Sequence, residues 1–230
     1  MENKKNRYLL LQVNDALFPI GGYSHSYGLE TYIQRNIVRD EKTARSYIEN
    51  KIRFNLASSE LLAAGLCFDA ARENNVGKIL ELEETYSASL APREIREAAR
   101  KLGSRFVKTV SQLTVSYRNS SFEDYGRVKK SKHVHACAYG CFCGAAGMEK
   151  TEMLENFLYS QTSAMVTNCV KAIPLSQSAG QRILTDSFKI FDDVIAKMEN
   201  WGEEMLCCGA PGFDIRSMEH EKLYSRIYMS

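Results

Sequence analysis

Residues 92–113 read PREIREAARKLGSRFVKTVSQL. Apolar side chains fall at Ile95, Ala99, Leu102, Phe106, Val110 and Leu113, each three or four positions after the last. That spacing is the stripe of an amphipathic helix with one buried face. Arg93, Glu94, Arg96, Glu97 and Arg100 fill the other faces. Pro92 stands at the start, where its missing N–H removes no helical hydrogen bond.

The pattern recurs outward from this segment. Ala44, Tyr47, Ile48 and Ile52 follow a candidate N-cap at Asp40, and Ile79, Leu82, Tyr86 and Leu90 mark another helix. A longer stripe runs through Leu154, Phe157, Leu158, Gln161, Met165, Cys169 and Ala172 and stops before Pro174. The last passes through Ala179, Ile183, Leu184, Phe188, Phe191, Ile195 and Met198. Only four prolines occur, and they leave uninterrupted stretches of 72 residues (20–91) and 81 residues (93–173). Proline would break a helix, so such stretches suit long ones. Few runs alternate with the period of a strand. The sequence therefore predicts an all-α protein: a single compact helical domain of about seven to nine helices over residues 1–206, then a C-terminal interaction tail over residues 207–230.

Three segments depart from ordinary helix. FPIGGYSHSYG (18–28) reads as a Gly/Ser loop, and NSSFEDYGRVKKSK (119–132) as an exposed connection. After Trp201 the chain is broken by Gly202, Gly209, Pro211 and Gly212, yet it still carries Phe213, Ile215, Met218, Leu223, Tyr224, Ile227 and Tyr228. A tail so apolar is expected to have a partner, to be mobile alone and to become fixed when covered.

Composition narrows the function classes. Thirty Lys and Arg against 28 Asp and Glu give a net charge of +2, too balanced for a nucleic-acid clamp driven by bulk charge. The seven cysteines are too few for a disulfide scaffold and odd in number. Neither a signal peptide nor a membrane-length apolar run is expected, which suits a cytoplasmic protein.

The candidate chemistry is incomplete wherever it starts. Gly22-Tyr23-Ser24-His25-Ser26 approaches the nucleophile elbow G-x-S-x-G but ends in Ser26, and no strand precedes it. His220-Glu221-Lys222-Leu223-Tyr224 approaches the zinc helix H-E-x-x-H but places Tyr224 where the second imidazole is needed. His133, His135, Cys137, Cys141 and Cys143 are the densest group of soft ligands, and His133, Cys137 and Cys141 would stack along one helical face. Ala136, Gly140, Gly144 and Met148 recur every fourth position through the same stretch, the pattern of a helix packed closely on another. A Cys/His metal-binding regulator is thus the alternative to packing. No phosphate-binding glycine loop is present, so no enzymatic activity is expected.

Four segments together resemble the urease accessory protein F family. FPIGGYSHSYGLE (18–30), PREIREAARKLG (92–103), KAIPLSQSAGQRIL (171–184) and FDIRSMEHEKLYSRIYMS (213–230) are similar to that family's F-P-x-G-x-[FY]-x-H-S-x-G-L-E, R-E-x-R-E, P-L-G-Q-x-x-G-Q and D-I-x-x-M-x-H-E-x-L-Y-x-R motifs. Ser176 stands in place of the usual Gly. The resemblance implies an all-α, dimeric, non-catalytic chaperone of urease maturation by GTP-dependent nickel insertion. Its implied partners are a D/H-type accessory protein, a G-type GTPase that it regulates, and apo-urease. It implies no stably held cofactor, with nickel as transient cargo.

Within that frame Lys171, Gln177, Gln181, Met218, Glu219, His220, Glu221, Tyr224 and Arg226 are expected to bind partners. Gly21 and Gly22 are expected to permit a tight loop, and His25, Ser26 and Glu30 to start and cap the next helix. An equal reading is that these polar groups only satisfy backbone donors and hold the fold.

Overall fold

The computed structural model describes residues 2–128, 131–209 and 211–230, with side chains from Lys5 onward in those spans. The helices are α1 (Glu2–Val13), α2 (Leu29–Gln34), α3 (Glu41–Lys51), α4 (Leu62–Arg72), α5 (Val76–Ser89) and α6 (Arg93–Val110), followed by α7 (Ser121–Arg127), α8 (His135–Ala145), α9 (Lys150–Ala172), α10 (Gln177–Met198) and α11 (Pro211–His220). A π-wound stretch, Ile52–Leu61, joins α3 to α4 without a break, so helical structure is continuous from Glu41 to Arg72. Among the described residues there is no strand, and no helix is long and apolar enough to cross a membrane. The fold is all-α, as the stripes require.

Local chemistry accounts for several boundaries. Asp40 accepts a hydrogen bond from the Thr43 N–H at 2.8 Å, and Thr43 Oγ1 accepts one from the Asp40 N–H at 3.1 Å, a reciprocal cap for α3. Asn75 caps α5 through the Lys78 N–H. Ser176 caps α10 by accepting from the Ala179 N–H at 3.1 Å, which explains a hydroxyl residue at this turn.

The centre of the molecule is α8. Every residue from Ala136 to Ala145 is buried. Its most extensive packing is against α4, and α6 also lies on it. The backbones meet: a Cβ on Gly140 would overlap the Ala64 carbonyl, and one on Gly144 would lie 2.5 Å from the Phe68 oxygen. Gly103 of α6 permits the same approach to His133. Along α6 the buried line is Ile95, Ala98, Leu102, Phe106 and Val110. Ala98 replaces the expected Ala99, and Leu113 lies beyond the helix end.

Among the described residues the helices outnumber the expected seven to nine, because α2, α7 and α11 are too short to show a stripe and the apolar residues of α1 are bunched at its end rather than spaced along it. The expectation of an exposed connection at 119–132 is also corrected. Phe122 and Tyr125, three apart, bury one face of α7, and the Tyr125 hydroxyl bonds to the buried Glu83 carboxylate. Glu83 also accepts from Ser131 Oγ at 2.6 Å and from the Val134 N–H at 2.7 Å, drawing the chain into α8. Lys129 and Lys130 of that segment, Ala210 of the tail and Met1 lie outside the described residues.

Candidate functional site

The loop at 18–28 and the last residues of the chain form one structure. Gly21 and Gly28 adopt left-handed conformations (φ 86° and 84°), and Gly28 is needed for space as well, because a Cβ there would lie 2.5 Å from Ser217 Oγ. Gly22 takes no such conformation and has open space beside it, so only Gly21 of the expected pair requires glycine. In the resulting curve the N–H groups of Ser26 and Tyr27 donate to the Ser230 carbonyl oxygen at 2.6 and 3.0 Å. Ser26 Oγ donates to the same oxygen at 2.7 Å, and His25 Nδ1 lies 2.8 Å from Ser230 Oγ. The Met229 N–H donates to the Ser24 carbonyl at 2.9 Å.

Deeper in, Glu30 on α2 is almost wholly buried and collects four contacts on its carboxylate and backbone. It accepts from the Ile227 N–H at 2.7 Å and the Tyr228 N–H at 3.2 Å, and it faces His220 Nε2 at 3.1 Å. Its own N–H reaches Ser26 Oγ only at 3.5 Å. His220 ends α11 fully enclosed, and its other ring nitrogen lies 2.7 Å from Glu94 of α6. Arg226 donates to the second Glu94 oxygen at 2.8 Å. Glu219 pairs with Arg35 and Arg216, both at 2.8 Å, and Gln34 donates to the Ser225 carbonyl at 2.6 Å. Phe213 packs against Tyr32 and Tyr47, with the Lys51 ammonium 4.8 Å above its ring. Burial lowers the Lys51 pKa, while Glu60 and Asp214 oppose that shift.

This arrangement revises several expectations. His25, Ser26 and Glu30 do not cap α2, whose N-cap is Gly28 with no side-chain bond; they bind the tail. The tail, expected to be mobile alone, lies against α2 and α6. Of its named residues, His220 is buried, Glu219 is half-buried, and Arg226 is exposed but committed to Glu94. Glu221 is exposed, 3.6 Å from Arg93. Met218 and Tyr224 face outward, and with them Ile215, Ile227 and Met229; Tyr224 is entirely solvent-exposed. Sequence reasoning gave no sign that the first and last motifs touch, nor that Glu94 joins them.

Lys171, Gln177 and Gln181 flank the Pro174 turn and are exposed. Lys171 lines a cavity of about 360 Å³ together with Gly22, Tyr23, Tyr27, His135 and Asn168, and Asn168 Nδ2 donates to the His25 carbonyl at 3.0 Å. Burial lowers the His135 pKa to about 4. His25 is lowered to about 4 as well, first by burial and then by Lys101 and Arg105. Both imidazoles are neutral at neutral pH.

The soft-ligand group does not converge. Cys137, Cys141 and Cys143 are completely buried and their thiols are pushed up, Cys137 first by its bond to Cys67 and the other two by burial. His133 turns to Ser131, 2.9 Å away, and packs edge-on to Tyr125, while His135 stacks on Phe157. Among the described residues no three His, Cys, Asp or Glu side chains come together as a metal site. Ser24 Oγ donates to the Gly21 carbonyl and His25 faces Ser230 instead, so Ser24 and His25 do not pair with each other.

The family model UreF matches residues 38–187, more than half of the chain. The match runs from before α3 into α10, so it lies between the two motifs that close on each other.

Proposed function

The chain belongs to the UreF family of urease accessory proteins, which act with other accessory proteins in urease maturation, and from that premise we propose a role in GTP-dependent nickel insertion. In this role the protein is a chaperone without chemistry of its own. It regulates a partner GTPase, acts as a homodimer in the cytoplasm, and handles nickel as transient cargo. The D/H-type accessory protein covers the outer face of the tail, and the GTPase reads the polar surface around Lys171, Gln177 and Gln181.

One observation carries the docking assignment. The inner side of the tail is committed to Glu30, Glu94 and the 24–27 loop, while Met218, Tyr224, Ile227 and Met229 project outward. A short segment anchored on one side, with large apolar groups on the other and charges at its rim, has the composition of an interface core. Tyr224 and Ile227 in particular stand largely clear of the described residues.

The test is co-purification with the D/H-type protein and the GTPase. Tyr224→Ala with Ile227→Ala should leave the thermal midpoint within about 2 °C, since exposed positions contribute little to stability. Binding to the D/H-type protein should fall about thirtyfold or more, the effect of losing a central apolar anchor. Undiminished binding by a folded double variant would overturn the assignment.

A further inference from the structure

The outer side of α6 exposes Lys101, Ser104, Arg105 and Lys108. Their spacing of three and four sets them on one helical face within two turns, about 10 Å along the axis. Three of the four are cations. Among the described residues none of the three forms an ion pair, and Glu97, one turn before Lys101, does not close on it. Between α3 and α10 the arrangement is different, because Arg45 and Arg182 each meet a carboxylate across the helix pair. Like charges three or four residues apart repel and weaken a helix. The free protein bears that repulsion on α6 although it has 28 acidic residues and a net charge of only +2.

The central cation of the three is held in place. Arg105 donates from Nη1 to the Ile20 carbonyl at 3.0 Å, and it packs over Gly21, where a Cβ would lie 2.5 Å from the same nitrogen. One N–H of the guanidinium is spent in this way. The rest of the planar fork has no hydrogen-bond partner among the described residues, and a fork fixed in advance loses little freedom when it takes a carboxylate. Lys101 and Lys108 flank it four positions before and three after, the reach of carboxylates set at the same intervals on a facing helix.

The rest of the face narrows the chemistry. No apolar or aromatic side chain of α6 is exposed. Base stacking and insertion into lipid both need such groups beside the cations, so a nucleic acid or a membrane surface fits this face less well than an acidic protein does. We propose that the Lys101–Arg105–Lys108 face docks an acidic protein segment, a helix that presents Asp or Glu at matching spacing. This surface is neither the tail nor the Pro174 turn, and its use is independent of the roles given to those. Binding here is electrostatic, so it orients the encounter and weakens with salt.

The full chain provides the test, with a fluorescein-labelled Ala/Glu helical peptide as the probe, its Glu residues at i, i+4 and i+7 on one face. Fluorescence anisotropy in about 50 mM sodium chloride should show saturable binding, weakened about tenfold or more in about 0.3 M salt. Lys101→Gln with Lys108→Gln should weaken binding about tenfold and leave the thermal midpoint within about 2 °C, since both positions are exposed. Arg105→Lys should weaken it about threefold or more, because an ammonium keeps the charge and loses the fork. Arg45→Gln with Arg182→Gln, which removes two cations elsewhere, should stay within about twofold of the wild type. In the wild-type chain the peptide should also protect Lys101 and Lys108 from acetylation, a reading that needs no substitution. Absence of saturable binding, an equal loss in the Arg45/Arg182 variant, or acetylation of Lys101 and Lys108 unaffected by the peptide would overturn the proposal. Tighter binding at these residues by a single-stranded oligonucleotide or by phosphatidylglycerol vesicles would overturn it as well.

Discussion

At the scale of single residues, space and charge set separate constraints. Gly140 lies where α8 meets α4 with backbone against backbone, and an added Cβ would overlap the Ala64 carbonyl. That obstacle is main chain and cannot swing aside. Gly140→Ala should therefore cost about 1–3 kcal/mol, and Gly140→Leu should prevent folding. Cys143→Ala, buried in the same helix but merely smaller, should cost about 1 kcal/mol. Thermal denaturation followed by circular dichroism separates the three. His135 sets a different limit. Its pKa is lowered from 6.5 to about 4 by burial, so the folded protein disfavours the cation. Its contribution is complete above pH 6.5 and is lost as the pH falls toward 4, about 3 kcal/mol in all at the outside. His25 acts in the same direction. Thermal midpoints should fall across this window, and His135→Gln should make the fall shallower.

At the scale of elements, short helices depend on what they touch. α2 has six residues, far fewer than an isolated helix needs to persist in water. It is held by α11, by Glu30 contacts to the tail backbone, and by the Arg35–Glu219 pair. Removing residues 210–230 strips Glu30 and Glu94 of their tail partners and leaves the Ser26 and Tyr27 N–H groups without their acceptor. The sequence alone suggests that this truncation leaves the helical domain intact. The contacts predict instead that α3 through α10 survive with a lowered midpoint while residues 18–34 become protease-sensitive. Limited proteolysis beside a melting curve tests both parts; an unchanged digestion pattern would show that α2 stands without the tail.

The same contrast explains what was legible in advance. α6, α9 and α10 could be read because each spans enough turns for its apolar positions to repeat. α7 and α11 place two or three anchors and then end, so their period never declares itself. α8 was readable as a packed face but not as the centre, because apolar and small residues surround it and no polar side marks an outside. The closure between the first and last motifs involves residues nearly 200 positions apart, such as Ile227 and Glu30, and no local pattern encodes such a pair.

At the scale of the whole molecule, charge is spent locally. The net charge is +2, and several exposed ions pair within the chain: Arg45 with Asp186, Arg182 with Glu41 and Arg53 with Asp193 tie α10 to α3 and its π-wound extension. Such surface pairs contribute about 0–1 kcal/mol each and weaken with salt. Stability resides in the core around α8 and should change by only a few degrees as salt rises. The tail is different in kind, since Ile215, Met218, Tyr224, Ile227 and Met229 are each exposed. Apolar burial is not screened, so the proposed docking of a D/H-type protein there should persist from about 0.1 to 0.5 M sodium chloride with less than a threefold change in affinity. The proposed recognition of the GTPase through Lys171 should behave otherwise, because an exposed cation steers and orients an acidic partner mainly at low ionic strength. Binding isotherms for the two partners across that salt range test the division. A tenfold or greater loss of the D/H-type protein would mean that charged contacts, rather than the apolar face, hold that interface.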